Sequence, residues 1–105
     1  MTETLFHLRA NDAIAQLADA LEEAYESGAL DDMTQSDSVL TVTTEGGVVF
    51  VVSKHAPTQQ IWLASPISGG LHFSYNDAAE AFQLADGRSV RDVLYANLAE
   101  YGILI

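Results

Sequence analysis

The sequence predicts an α+β fold: a two-layer sandwich of an antiparallel sheet of five to six strands with two helices, one at each end of the chain, on one face. Three observations predict it. The first quarter of the chain carries apolar residues at helical spacing. The middle alternates with a period of two between turn signals. A capping motif then opens a second helical stripe near the end. Two helices with one apolar stripe each can cover only one face of such a sheet, so the other face stays open.

The first helix is predicted over residues 4–27. Phe6, Ala10, Ala13, Ile14, Leu17, Leu21, Ala24 and Tyr25 recur every three or four residues. The stretch contains no Pro or Gly and is rich in alanine. Gly28 is placed to end it. A first short strand is expected at Asp32–Ser36, and Val39–Thr44 alternates with Leu40 and Val42 inward. Glu45-Gly46-Gly47 turns the chain into Val48–Ser53, completing a β-hairpin. Pro57 closes that strand's exit. Gln59–Ser65 and Leu71–Tyr75 follow on either side of the Pro66–Gly70 turn, and a short strand is expected at Ala81–Leu84. Ser89-Val90-Arg91-Asp92 has the form of a capping box opening a helix to about Tyr101, with Val90, Val93, Leu94, Leu98 and Tyr101 as its stripe. The tail Ile103-Leu104-Ile105 is expected to pack back onto the domain.

A chain of 105 residues forms one domain, spanning 1–105. Cysteine is absent, which excludes disulfides, thiolate metal sites and cysteine nucleophiles. No apolar run approaches the ~18–20 residues that span a bilayer. The N-terminus resembles neither a secretory signal nor a transit peptide, so a cytoplasmic protein or a mature fragment is the expectation.

Fifteen acids oppose four bases, for a formal net charge of −11. Nucleic acid and anionic membrane are excluded as partners by repulsion. Cations or a basic protein are expected instead. Nine of the acids fall between Glu3 and Asp37. On the first helix, Asp12, Asp19, Glu23 and Glu26 share the polar face, with Glu22 on its flank, and Asp31 and Asp32 follow just past its end. Asp19 and Glu23 are four apart, as are Glu22 and Glu26, and like charges at that spacing each cost roughly 0.2–0.5 kcal/mol. Glu22, Glu23 and Glu26 also crowd the negative end of the helix dipole. Two accounts fit: a solvated face, or a site where a bound cation relieves the repulsion. All-carboxylate ligation selects hard cations such as iron, manganese, magnesium or calcium. There is no EF-hand spacing and no zinc-type His pair. His7 stands near the start of the same helix, and such a lone helical His is usually a bystander.

The only tryptophan, Trp62, lies in Gln59–Ser65. Ile61 and Leu63 fall on one face of that strand, Gln60, Trp62 and Ala64 on the other. Trp62 is then either core under a covering element or a contact surface on an open face. The helix count leaves that face open and favours the second account. His72 joins Gln60 and Trp62 there if its strand pairs with theirs.

The run Gln60-Ile61-Trp62-Leu63-Ala64-Ser65-Pro66, followed by Ser68-Gly69-Gly70 and His72-Phe73, resembles the frataxins, iron-binding proteins of iron–sulfur cluster assembly. Val39-Leu40-Thr41-Val42, the acidic first helix and the passage from Asp86-Gly87 to Leu94 correspond as well, so the resemblance spans almost the whole chain. Thr58 and Gln59 depart from the Asn and Lys common in mitochondrial members, Ser38 stands where Gly is usual, and His72 matches bacterial members. The resemblance implies a two-layer sandwich with no organic cofactor. It implies weak binding of ferrous or ferric iron on an acidic ridge, here Asp19, Glu22, Glu23, Glu26, Asp31 and Asp32. It further implies docking of Gln60, Trp62 and His72 on the cysteine desulfurase and iron–sulfur scaffold, to donate iron or regulate sulfur transfer. Dedicated catalysis is not implied, although iron oxidation is a family trait. A monomer with iron-dependent oligomers is expected, in a bacterial cytoplasm, or in the mitochondrial matrix for a mature eukaryotic fragment. A different class of function, an acidic inhibitor of a basic enzyme such as a nuclease, would need the acids and no metal.

Overall fold

The structure is a computed structural model that describes residues 1–36 and 38–105. Asp37, counted above with the N-terminal acids, lies outside the described residues. Helix α1 spans Glu3–Glu26. Thr2 caps it by accepting a hydrogen bond from the Leu5 backbone N–H at 3.1 Å. Gly28, at φ +87°, takes the left-handed conformation past its last turn that a side chain would resist. Six strands follow: β1 Leu30–Gln35, β2 Val39–Thr44, β3 Val49–His55, β4 Gln60–Ser65, β5 Gly69–Asn76 and β6 Ala81–Gln83. A 3-10 turn, Ala56–Thr58, joins β3 to β4. Helix α2, Val90–Ala99, closes the order, with the Ser89–Asp92 capping box in place.

The strands pair antiparallel with their sequence neighbours, in the order β1-β2-β3-β4-β5-β6. Helix α1 lies over β1, β2 and β3, and α2 over β4. Phe6, Ile14, Leu17 and Leu21 of α1 and Val93, Leu94 and Leu98 of α2 bury their stripes against Leu40, Val42, Phe50, Val52, Ile61, Leu63 and Phe73 of the sheet. The two-layer sandwich expected from the sequence is therefore observed, with both helices on one face.

Several local expectations change. Helix α2 ends at Ala99, so Tyr101 lies outside its stripe, and Tyr101 and Tyr25, both expected in apolar stripes, are exposed. Strand β1 begins at Leu30, two residues before its expected start at Asp32. The reason is a β-bulge: Leu30 pairs with Thr44 and Asp32 with Thr43, leaving Asp31 as the extra residue. The bulge resets the alternation, so Leu30 and Met33 both reach the core while Asp31 and Asp32 both stay exposed. Strand β3 runs to His55 rather than Ser53, because the 3-10 turn brings β4 back in register at Lys54–Ile61 and His55–Gln60. The tail packs only through Ile103, since Leu104 remains 83% exposed.

The Ser65–Ser68 turn is fixed to α2 from below. Ser65 Oγ and Ser68 Oγ both donate to Asn97 Oδ1, and the backbone N–H groups of Ile67 and Ser68 donate to Ser65 Oγ. Asn97 is 6% exposed, within the apolar stripe of α2. The buried amide oxygen accepts from both serines, so the network locks the end of β4 onto the helix.

Candidate functional site: an acidic edge and an open aromatic face

The open face is built by strand alternation. Residues directly opposite in an antiparallel pair point to the same side. Ser53, Trp62 and His72 stand opposite one another across β3, β4 and β5. Gln60 stands between His55 and Ser74 in the next row. Ile61 and Leu63 are buried on the other side, as their alternation requires.

Trp62 is held flat between two imidazoles. Its ring centroid lies 3.7 Å from that of His55, at an interplanar angle of 14°, and 4.2 Å from that of His72, at 12°. Trp62 Nε1 donates to Gln60 Oε1 at 3.1 Å, and Gln60 Nε2 donates to Ser74 Oγ at 3.2 Å. His55 Nδ1 and Thr58 Oγ1 form a hydrogen bond at 2.7 Å. The structure thus brings together the three residues predicted for this face, Gln60, Trp62 and His72. It adds His55, which the sequence reading missed. Extending the alternation of β3 from Val49, Val51 and Ser53 by one more step would have found it.

The acids behave differently. Asp19, Glu22, Glu23 and Glu26 line the exposed side of the last two turns of α1, and only Ser27, Gly28 and Ala29 separate them from β1. Asp31 and Asp32 are exposed at the bulge, with Asp32 opposite Thr43 on the open side of the edge strand. All six are therefore gathered along one edge of the sandwich. They do not converge: among the described residues, no group of three or more His, Asp or Glu side chains is placed to hold one ion. The only side-chain hydrogen bond of the six among the described residues is local, from the Met33 N–H to Asp32 Oδ1 at 3.0 Å.

Three of the four basic side chains are engaged with other groups. Arg9 pairs with Asp77 at 3.2 Å and lies over the Tyr75 ring at 4.3 Å. Arg88 pairs with Asp86 at 2.9 Å, and Lys54 donates to Asn11 on α1. The Arg88 backbone N–H and guanidinium hold the Asp86 carboxyl below its ordinary range. His7 contacts Glu3 at 3.7 Å near the N-terminus of α1, at the opposite end from Glu22–Glu26, and takes no part in the edge.

Charge is thus segregated. The strands place one acid, Asp32, on the open face, at its outermost strand. Around Trp62 that face is neutral: Val39, Val51, Ser53, Gln60, Ala64 and Ser74. In a chain of net charge −11 this is a strong depletion.

Together these features define an open-faced α+β sandwich whose acids and whose aromatic stack occupy separate surfaces. A family model for the frataxin-like domain matches residues 1–102. The iron–sulfur cluster assembly protein CyaY of Pseudomonas fluorescens SBW25 is 34% identical over 103 residues, covering 96% of this chain and 89% of the relative. CyaY of Pseudomonas aeruginosa PAO1 is 38% identical over 80 residues, covering 75% and 69%. Among solved structures, frataxin from Psychromonas ingrahamii superposes with a TM-score of 0.81 over 96% of this chain and 91% of its own, at 22% identity, a likeness of fold. Trimeric frataxin from Saccharomyces cerevisiae, complexed with ferrous iron, superposes with a TM-score of 0.73 at 31% identity, covering 88% and 83%. The chain belongs to the frataxin-like family, in its bacterial CyaY form. No helix among the described residues is long and apolar enough to cross a membrane.

Proposed function

We propose that this chain is a non-enzymatic accessory protein of iron–sulfur cluster assembly, acting as one frataxin-like unit over residues 1–105. It gathers ferrous or ferric iron as cargo along Asp19, Glu22, Glu23, Glu26, Asp31 and Asp32. It docks through Gln60, Trp62 and His72 on the cysteine desulfurase and scaffold. The observation that carries this reading is the segregation of charge: unpaired acids along one edge, and a neutral aromatic face beside them. The names of the relatives support the assembly role, and the ferrous complex of the yeast relative supports iron as the cargo.

Carboxylates without bases suit a hard cation. With no three converging among the described residues, each ion takes one or two carboxylates and keeps most of its water. Such sites are open, weak and easily emptied, which suits delivery better than storage. Exposed like charges also raise local cation concentration through their summed field, an effect that salt screens.

Anaerobic equilibrium dialysis against ferrous iron tests the proposal. The wild-type chain should take up iron at micromolar to millimolar free metal, the range of open carboxylate sites. A variant with Glu22, Glu23 and Glu26 all changed to Gln should lose most of that uptake. Equal uptake by the two proteins would overturn the edge as the iron site.

A further inference from the structure

We propose that His55 is a further residue of the docking face, positioning Trp62 from one side as His72 does from the other, and that proton uptake by this pair switches the face from neutral to cationic. The stack is what the geometry gives; the effect of a charge there on partner binding rests on the docking reading of this face.

The stack itself is the first observation. Two imidazoles lie nearly parallel to one indole, at 3.7 and 4.2 Å between centroids. With the indole between them, the two histidines cannot chelate one metal ion, so a shared metal site does not account for them. Imidazole is the side chain whose charge ordinarily changes between about pH 5 and about pH 8. A protonated imidazole over an aromatic face is a cation–π pair, favoured most by tryptophan. Protonation therefore need not disperse the stack. Nor need it break the contact to Thr58, whose hydroxyl accepts as readily as it donates.

The second observation is the emptiness of the electrostatic surroundings. From β3 and β4 the neighbours on this side are Val51, Ser53, Gln60 and Ala64; from β5 they are Gly70 and Ser74. Strand β2 presents Val39 and Thr41, β6 presents Ala81 and Gln83, and the 3-10 turn presents Thr58. Lys54 points to the helix side, where it donates to Asn11. Asp32 lies on the outermost strand. The turns flanking β6 carry Asp77, Glu80, Asp86 and Arg88; Asp77 is paired with Arg9 and Asp86 with Arg88. A proton on His55 or His72 would thus add a formal charge to strand positions that carry none around Trp62; the N-terminal ammonium lies beyond the 3-10 turn, where Gln59 Nε2 donates to Met1 O.

The chain's −11 charge selects a basic partner. A cationic face should therefore dock less well on it, so binding weakens as pH falls. Trp62 is the only tryptophan, so its emission reports the stack without background. Protonated imidazole in contact with an indole quenches that emission.

The experiment follows Trp62 fluorescence of the full chain between about pH 8 and about pH 5. It uses wild type, His55→Gln, His72→Gln, the double variant and His55→Phe. Wild-type emission should fall with pH, each Gln variant should lose part of the response, and the double variant should be flat. His55→Phe keeps a ring on the indole without a titrating proton. It should retain the wild-type emission maximum while losing the His55 share of the response, which separates titration from packing even if His55→Gln folds poorly. A flat wild-type profile, or a full response in His55→Phe, overturns the proposal. Desulfurase binding at the two ends of the range is read in parallel. It should weaken by about two- to tenfold at low pH in wild type, as two exposed like-charge contacts would, and stay constant in the double variant. Emission that titrates while affinity stays constant overturns only the effect of the charge on partner binding. No desulfurase binding at either pH overturns the docking reading instead.

Discussion

The acidic edge and the Trp62 face sit on one small sandwich and are held in opposite ways. At the edge, Glu22, Glu23 and Glu26 end a helix with no basic residue in its last turn, and no ion pair reaches them among the described residues. On the face, Trp62 is stacked on both sides, and its indole N–H is tied to Gln60, which is itself tied to Ser74. The difference teaches what each region can do. Unrestrained carboxylates create a field and loose, exchangeable contacts, at a cost to their own helix. A restrained aromatic loses little entropy on binding and suits a defined contact with a protein.

The largest effect that would sharpen this contrast is expected at Trp62. Trp62→Ala should cost about 2 kcal/mol or more of partner affinity, roughly thirtyfold, the loss typical of a central aromatic. The fold should persist, since Ile61 and Leu63 fill the core beneath it. Calorimetric binding with circular dichroism on the same sample checks both parts; global unfolding would make Trp62 a core residue and erase the contrast.

A comparable loss, this time of stability, is expected at Asn97. Asn97→Ala strips the acceptor from Ser65 and Ser68. Leaving those groups unpaired should cost about 1–3 kcal/mol in a urea melt. Because the network fixes the end of β4, amide shifts should spread into β4 and leave the helix acids unmoved. Shifts reaching Asp19–Glu26 would mean that edge and face are coupled.

The edge should respond with the opposite sign. Replacing Glu22, Glu23 and Glu26 by Gln removes both like-charge pairs, Asp19–Glu23 and Glu22–Glu26, and relieves the helix dipole. The gain should be about 0.5–1.5 kcal/mol, or a rise of several degrees in Tm for a domain of this size. A fall in Tm would show that those acids are held as firmly as the aromatic face.

Asp86 should show the smallest effect. Its carboxyl is held below its ordinary range by Arg88, so folding favours the ionised form. The contribution is present above about pH 4, the range of an unfolded carboxylate, and is lost as pH falls through the lower folded value. Asp86→Asn should flatten that part of the acid limb of a stability–pH profile slightly, the pair being exposed at a turn. A mutant profile that still falls like the wild type would show that another carboxylate sets this limb.

Much of this layout was legible in the sequence, for physical reasons that can be named. Ile61 and Leu63 against Trp62 were readable because strand alternation has a fixed period, and the open face followed from two helical stripes being too few to cover both sides. The start of β1 was not readable, because the bulge at Asp31 breaks that period where Leu30 and Met33 both turn inward. His55 was missed because the Pro57 signal suggested an earlier exit, while the strand continues to pair with β4 through Lys54 and His55. Asn97 sat unnoticed in an apolar stripe: only the folded turn shows the two serines that satisfy it. Leu104 read as core by composition, yet the chain leaves the sandwich after Ile103. The acids were legible as a group, but their failure to converge depends on side-chain positions that sequence spacing does not give.

The central claim is that iron and protein partner use different surfaces. It is tested most directly by one amide NMR map, recorded anaerobically, with ferrous iron added first and the desulfurase–scaffold complex second. The account predicts two separate sets of perturbed signals: Asp19–Asp32 on adding iron, and then β3–β5 around His55, Trp62 and His72 on adding the complex. Iron-induced changes centred on the Trp62 face, or no localised response up to millimolar iron, would contradict it.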